Sequence, residues 1–135
     1  MEKVVVHVDG GARGNPGPAA VAAVVTDAGG QELSERGEYI GQATNNVAEY
    51  KAVLLGLRLA GELDATAVEV VNDSELIARQ LQGRYKVKHA GLKPLFLETL
   101  ESFKQFSEWS IRTVRRESNT RADALVNETL DRERG

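Results

Sequence analysis

The chain has 135 residues, 41% hydrophobic and 27% charged, which fits one folded domain and excludes a disordered or low-complexity chain. A net charge of −3 argues against a general surface attraction to nucleic acid, so any such binding has to be local. There is no cysteine for a disulfide, a thiolate metal site or a thiol nucleophile, and the longest apolar run, Ala19 to Val25, falls far short of the roughly 20 residues that span a bilayer.

Met1-Glu2-Lys3 leads straight into an alternating segment with no visible secretory signal, which fits a reducing, cytoplasmic compartment. From Lys3 to Asp9, Val4, Val6 and Val8 face one way and Val5 and His7 the other, a strand pattern. Gly10 to Pro18 is rich in glycine and proline and reads as a loop. Ala19 to Thr26 and Gln31 to Ile40 read as two strands around a turn at Asp27-Ala28-Gly29-Gly30, completing an antiparallel meander. The period then changes. Val47, Tyr50, Val53, Leu54, Leu57 and Ala60 recur at helical spacing behind Thr44, a suitable N-cap. Ala67 to Asn72 is a short apolar strand. Asp73 to Gln82 reads as a helix with Asp73 as its cap, and Gly83 to Lys93 as a basic connection. Pro94 to Phe106 is helical, Glu108 to Val114 alternates as a strand, and Ser118 or Asn119 caps a last helix. The order predicts an α/β domain with a mixed sheet, the meander followed by crossover strands.

Four acids stand out. Asp9 ends a very apolar strand, where a carboxylate is costly unless paired or metal-bound, although an Asp before Gly also suits a turn. Glu49 shares a helix face with Val53, Gly56 and Ala60, a small apolar surface suited to lying on the sheet. Asp73 follows a strand and doubles as a cap. Asp123 sits in the first turn of the last helix, where negative charge suits the helix dipole. Taken together they form an all-oxygen donor set for Mg2+ or Mn2+, with no histidine or cysteine cluster competing. Two divalent cations would relieve their mutual repulsion and create a phosphoryl-transfer site.

The segments VDGGARGNPGPAAVAAVV, TNNVAEYKAVLLGLRLA, VVNDSELIARQL and RRESNTRADALVNETL resemble the successive blocks of the ribonuclease HI family, in the family's order and over nearly the whole chain. The resemblance implies a ribonuclease H-like fold, a five-stranded mixed sheet flanked by helices. It implies hydrolysis of the RNA strand of RNA–DNA hybrids with two Mg2+ or Mn2+ ions, leaving 5′-phosphate and 3′-hydroxyl ends. The family's metal-binding acids fall on Asp9, Glu49, Asp73 and Asp123. Asp9 would bridge both ions, Asp123 would join it on the water-activating ion, and Glu49 and Asp73 would hold the other. Substrate contacts fall on the glycine loop, through Gly10, Gly11, Arg13, Gly14 and Asn15, and on Asn45 and Asn46. For both asparagines helix capping is the structural alternative.

Two departures from the family pattern matter. Many members carry a histidine in the loop before the last acid. Here that loop reads Arg115-Arg116-Glu117-Ser118-Asn119, and Arg116 is expected to take the histidine's place, with Arg115 as the rival. The Trp-rich basic protrusion of well-known bacterial members is also missing. The only tryptophan, Trp109, falls on a strand and is expected in the core. Arg79, Arg84, Lys86, Lys88 and Lys93, with Tyr85, offer a basic stretch that would track phosphates in its stead. The competing readings are a non-catalytic hybrid- or RNA-binding module on the same fold, and a domain excised from a larger polypeptide. A free-standing single domain, residues 1–135, acting as a monomer without membrane association, is the expectation.

Overall fold

In the computed structural model, which describes residues 2–134, five strands form one sheet in the order β3-β2-β1-β4-β5. β1 (Lys3–Ala12), β2 (Gly17–Asp27) and β3 (Glu32–Ala43) are the antiparallel meander. β4 (Ala67–Asn72) lies parallel to β1, and β5 (Glu108–Thr113) parallel to β4. The helices are α1 (Asn45–Glu62), α2 (Glu75–Leu81), α3 (Lys93–Phe103) and α4 (Thr120–Arg134). β3 is an outer strand, and its register with β2 shifts at Ala19/Ala20 and again at Val25/Thr26. Among the described residues no helix is long and apolar enough to cross a membrane.

The two faces of the sheet are covered by different helices. Val4, Val6 and Val8 are buried in one core with Val53, Leu57 and Ala60 of α1. On the other face Ala20, Ala22 and Val24 of β2 pack against Ala122, Leu125, Val126 and Leu130 of α4. Period-two alternation in the strands thus feeds two separate cores. α1 starts as expected, with the Thr44 hydroxyl accepting the Val47 N–H at 3.2 Å. Its glycine lets it lie close on the sheet: a Cβ at Gly56 would stand 2.5 Å from Val6 Cγ1 and 2.8 Å from Val8 Cγ1.

Three expectations are corrected. The segment from Gly10 to Ala12 is strand, paired through Gly10↔Val21, Gly11↔Ala20 and Ala12↔Ala19, so the connecting loop is only residues 13–16. Asp73 does not cap α2; Ser74 does, its hydroxyl accepting the Ile77 N–H at 3.4 Å. Trp109 is 38% exposed because β5 is the other outer strand, and its ring stacks on Phe103 at 3.9 Å between centroids.

Gly56→Ala should gain helix propensity yet lose more by overpacking, with a net destabilisation of about 1–2 kcal/mol. Urea denaturation midpoints check this; an equal or raised midpoint would show that α1 rides higher on the sheet.

Candidate active site

β1 and β4 part company after the pair His7↔Val71. Asp9 and Asp73 each lie two residues past that last pair, where the parallel pairing of β1 with β4 has ended and an α/β sheet opens a crevice. Glu49 arrives from the first turns of α1. A Cβ on Gly10 would fall on the Ala48 carbonyl and within 2.8 Å of the Glu49 nitrogen. Gly10 therefore lets α1 press its start against β1, and that approach brings Glu49 to Asp9. Carboxylate oxygens of Asp9, Glu49 and Asp73 lie within 4.8 Å of one another. Asp123, in the first turn of α4, faces the Asp9 carboxyl.

These groups line a cleft of about 510 Å³. Gly11, Arg13, Asn45 and Arg116 also line it, whereas Gly14, Asn15, Asn46 and Arg115 do not. Arg116 Nη2 stands 3.4 Å from Asp123 Oδ1, on a side chain that is 75% exposed.

Asn15 in the loop and Asn45 at the start of α1 hold each other's segments. Asn15 Oδ1 accepts the Asn45 backbone N–H at 3.0 Å, and Asn45 Oδ1 accepts that of Ala12 at 2.9 Å. With both oxygens engaged, the amide NH2 groups are the donors left over. Arg13 reaches α4, its Nη2 pairing with Asp131 at 2.8 Å and lying 3.4 Å from Asn127 Oδ1. Sequence reasoning missed Ser74 and Asn127 in the cleft wall. Ser74 directly follows a singled-out acid, and Asn127 is one turn beyond Asp123; those spacings were the available signals.

Crowding of the acids shows in their protonation. Burial, then the neighbouring carboxylates of Asp73 and Asp123, push Asp9 up to about 8, against the opposing pull of Arg116. Burial, then Asp9 and Asp73, push Glu49 up to about 9. Asp73 Oδ2 is buried and has no hydrogen-bond partner. An orphaned carboxylate oxygen beside two further carboxylates fits a hard divalent cation better than any protein donor present.

A family model described as reverse transcriptase-like matches residues 7–129. Ribonuclease HI of Halobacterium salinarum is 41% identical over 129 residues, 96% of this chain and 65% of that protein. This chain belongs to the ribonuclease HI family. The solved structure of the Halobacterium ribonuclease H1 superposes with a TM-score of 0.94, covering 96% of this chain and 98% of that one. The fold expected from the family resemblance is thereby established. LC11 ribonuclease H1, solved in complex with an RNA/DNA hybrid, superposes at 0.92 with 44% identity, covering 98% of this chain and 99% of that one. A bifunctional protein of Mycobacterium tuberculosis is 45% identical over 130 residues, 96% of this chain but 36% of its own length. The chain thus spans about a third of the mycobacterial relative and two thirds of the halobacterial ribonuclease HI.

Both raised carboxyl pKa values set a sign. Their unfolded values are 3.8 and 4.5, so their contribution to stability is complete below about pH 4 and is lost as pH rises through 8 to 9. In chelator, stability should fall on the order of 1–3 kcal/mol between pH 6 and 8, and Asp9→Asn should flatten that fall. Thermal melts across that range, with and without Mg2+, provide the measurement. A wild-type profile as flat as the variant's would refute the account.

Proposed function

We propose that this protein is a ribonuclease H that hydrolyses the RNA strand of RNA–DNA hybrids, leaving 5′-phosphate and 3′-hydroxyl ends. The observation that carries the reading is the meeting of Asp9, Glu49 and Asp73 oxygens within 4.8 Å, with Asp73 Oδ2 unpartnered. A module that only binds has no use for carboxylates held together against their own repulsion. Asp9, Glu49, Asp73 and Asp123 would hold two Mg2+ or Mn2+ ions. When bound, such ions supply charge neutralisation, Lewis acidity towards the phosphoryl group and activation of water.

The chain's own groups do the rest. Gly11 and the backbone of Ala12 give the RNA strand close access to the cleft floor. The free Nδ2 groups of Asn15 and Asn45, with Asn46 beside them, would donate to ribose 2′-hydroxyls, the groups that tell RNA from DNA. Arg116 is placed to meet phosphate charge beside Asp123. Arg84, Tyr85, Lys86 and Lys88 are all exposed, and the Arg79 guanidinium lies 5.7 Å from the Tyr85 ring centroid. This stretch would track the phosphates of the hybrid as it leaves the cleft. The halobacterial and LC11 relatives support the substrate class, since one is named ribonuclease HI and the other was solved with a hybrid.

The deciding assay uses end-labelled RNA–DNA, RNA–RNA and DNA–DNA duplexes with Mg2+, Mn2+ or chelator. Metal-dependent cuts in the RNA of the hybrid are expected, and Asp9→Asn should abolish them while hybrid binding persists. If the wild-type protein binds hybrid but leaves it intact with either metal, the binding-module reading takes over. Separately, Lys86→Gln with Lys88→Gln should reduce the slope of log affinity against log salt, by about 0.9 for each phosphate that is no longer neutralised. An unchanged slope would remove this stretch from the interface.

A further inference from the structure

Asn119 stands at the entrance to α4, where its residue type suggests a helix cap. Asn119 is 2% exposed, and its side-chain oxygen accepts no hydrogen bond, so the side chain does not cap α4. It turns inward, and Nδ2 donates to the Val8 carbonyl at 2.8 Å, across 111 residues of chain. Val8 lies just past the last β1–β4 pair, His7↔Val71. The Asn119 amide therefore fills a hydrogen-bonding role where the sheet has split and no further pairing with β4 is present. The carbonyl also fixes the amide's orientation, because the opposite rotamer would set oxygen against oxygen.

Both ends of this residue bond to backbone beside the acid cluster. Val8 immediately precedes Asp9. The Asn119 backbone carbonyl accepts the Asp123 N–H at 3.1 Å, the first bond of α4. One residue thus ties the backbone that carries Asp9 to the helical turn that carries Asp123. The adjoining loop offers little support of its own: residues 115–118 are exposed and form only a single 3-10 turn.

We propose that Asn119 is a positioning residue that sets the separation of Asp9 and Asp123, and through it the affinity of the acid cluster for divalent cation. This inference rests on the four-acid reading above. Partners that orient metal ligands typically cost 10–100-fold in affinity or activity when removed. Replacement by leucine keeps the volume and deletes the donor. Replacement by serine gives a side chain one bond shorter than the amide that meets Val8 at 2.8 Å, so its hydroxyl falls short of that carbonyl and the tie is weakened.

The test is calorimetric titration of hybrid-free protein with Mn2+, beside hybrid binding measured in chelator. Asn119→Leu should weaken Mn2+ binding by about 10–100-fold, Asn119→Ser should weaken it less, and hybrid affinity in chelator should stay within about twofold for both. Circular dichroism and thermal melts confirm that each variant is folded. Should Asn119→Leu fail to fold, Asn119→Ser alone decides, and a Mn2+ affinity equal to wild type overturns the proposal. Folded variants that bind Mn2+ like wild type, or that lose hybrid and Mn2+ in equal measure, also overturn it. A wild-type protein that takes up no Mn2+ at all would instead defeat the four-acid reading itself, and this inference with it.

Discussion

Carboxylates of like charge repel, and this chain brings several of them to one spot where water cannot fully screen them. Asp9, Glu49 and Asp73 come from three different elements and meet within 4.8 Å. The cationic group nearest Asp123 is Arg116, which is mostly exposed and stands 3.4 Å away, a geometry that offsets little. Two of the acids respond by holding their protons to about 8 and 9. The rest of the domain can be understood as the scaffold that imposes this crowding. The strands part after His7↔Val71, Gly10 admits α1, and Asn119 fastens the start of α4. Each device acts on backbone position, so that the cost of collecting the charges is met by two large apolar cores on either side of the sheet.

The walls of the cleft are stiffened by polar ties of the same kind. The exchange between Asn15, Asn45 and Ala12 joins the β1–β2 connection to the first turn of α1. Arg13 joins the same connection to Asp131 near the far end of α4. Tyr50, adjacent to Glu49 and fully buried, donates its hydroxyl to Gln80 Oε1 at 2.5 Å and so links α1 to α2. Glu49 thereby sits on a helix that is bound beneath the surface to the helix just after Asp73.

Much of this was readable in the chain because the signals were local. Alternation in Val4, Val6 and Val8 and the helical recurrence of Val53, Leu57 and Ala60 reflect which face is buried. Those periods survived folding intact. Glu49 was conspicuous because a charge lay on a face of small apolar residues. What escaped depends on partners distant in sequence. Gly10 to Ala12 looked like loop by composition, yet β2 was available to pair with them. Asp73 and Ser74 are both good capping residues in tandem, and only the folded geometry, in which the Ser74 hydroxyl meets the Ile77 N–H, assigns the cap to Ser74. The inward turn of Asn119 and the reach of Arg13 to Asp131 each cross more than a hundred residues, beyond what spacing can reveal.

The outer strand β3 has an open side along its twelve residues, which is an invitation to pair edge to edge with another molecule. Several features discourage that. Glu35, Arg36 and Glu38 place charges along it. Its register slips twice against β2, and Gly41 adopts a φ of +78° near its end. An edge so irregular and charged is a poor template for intermolecular β-stacking.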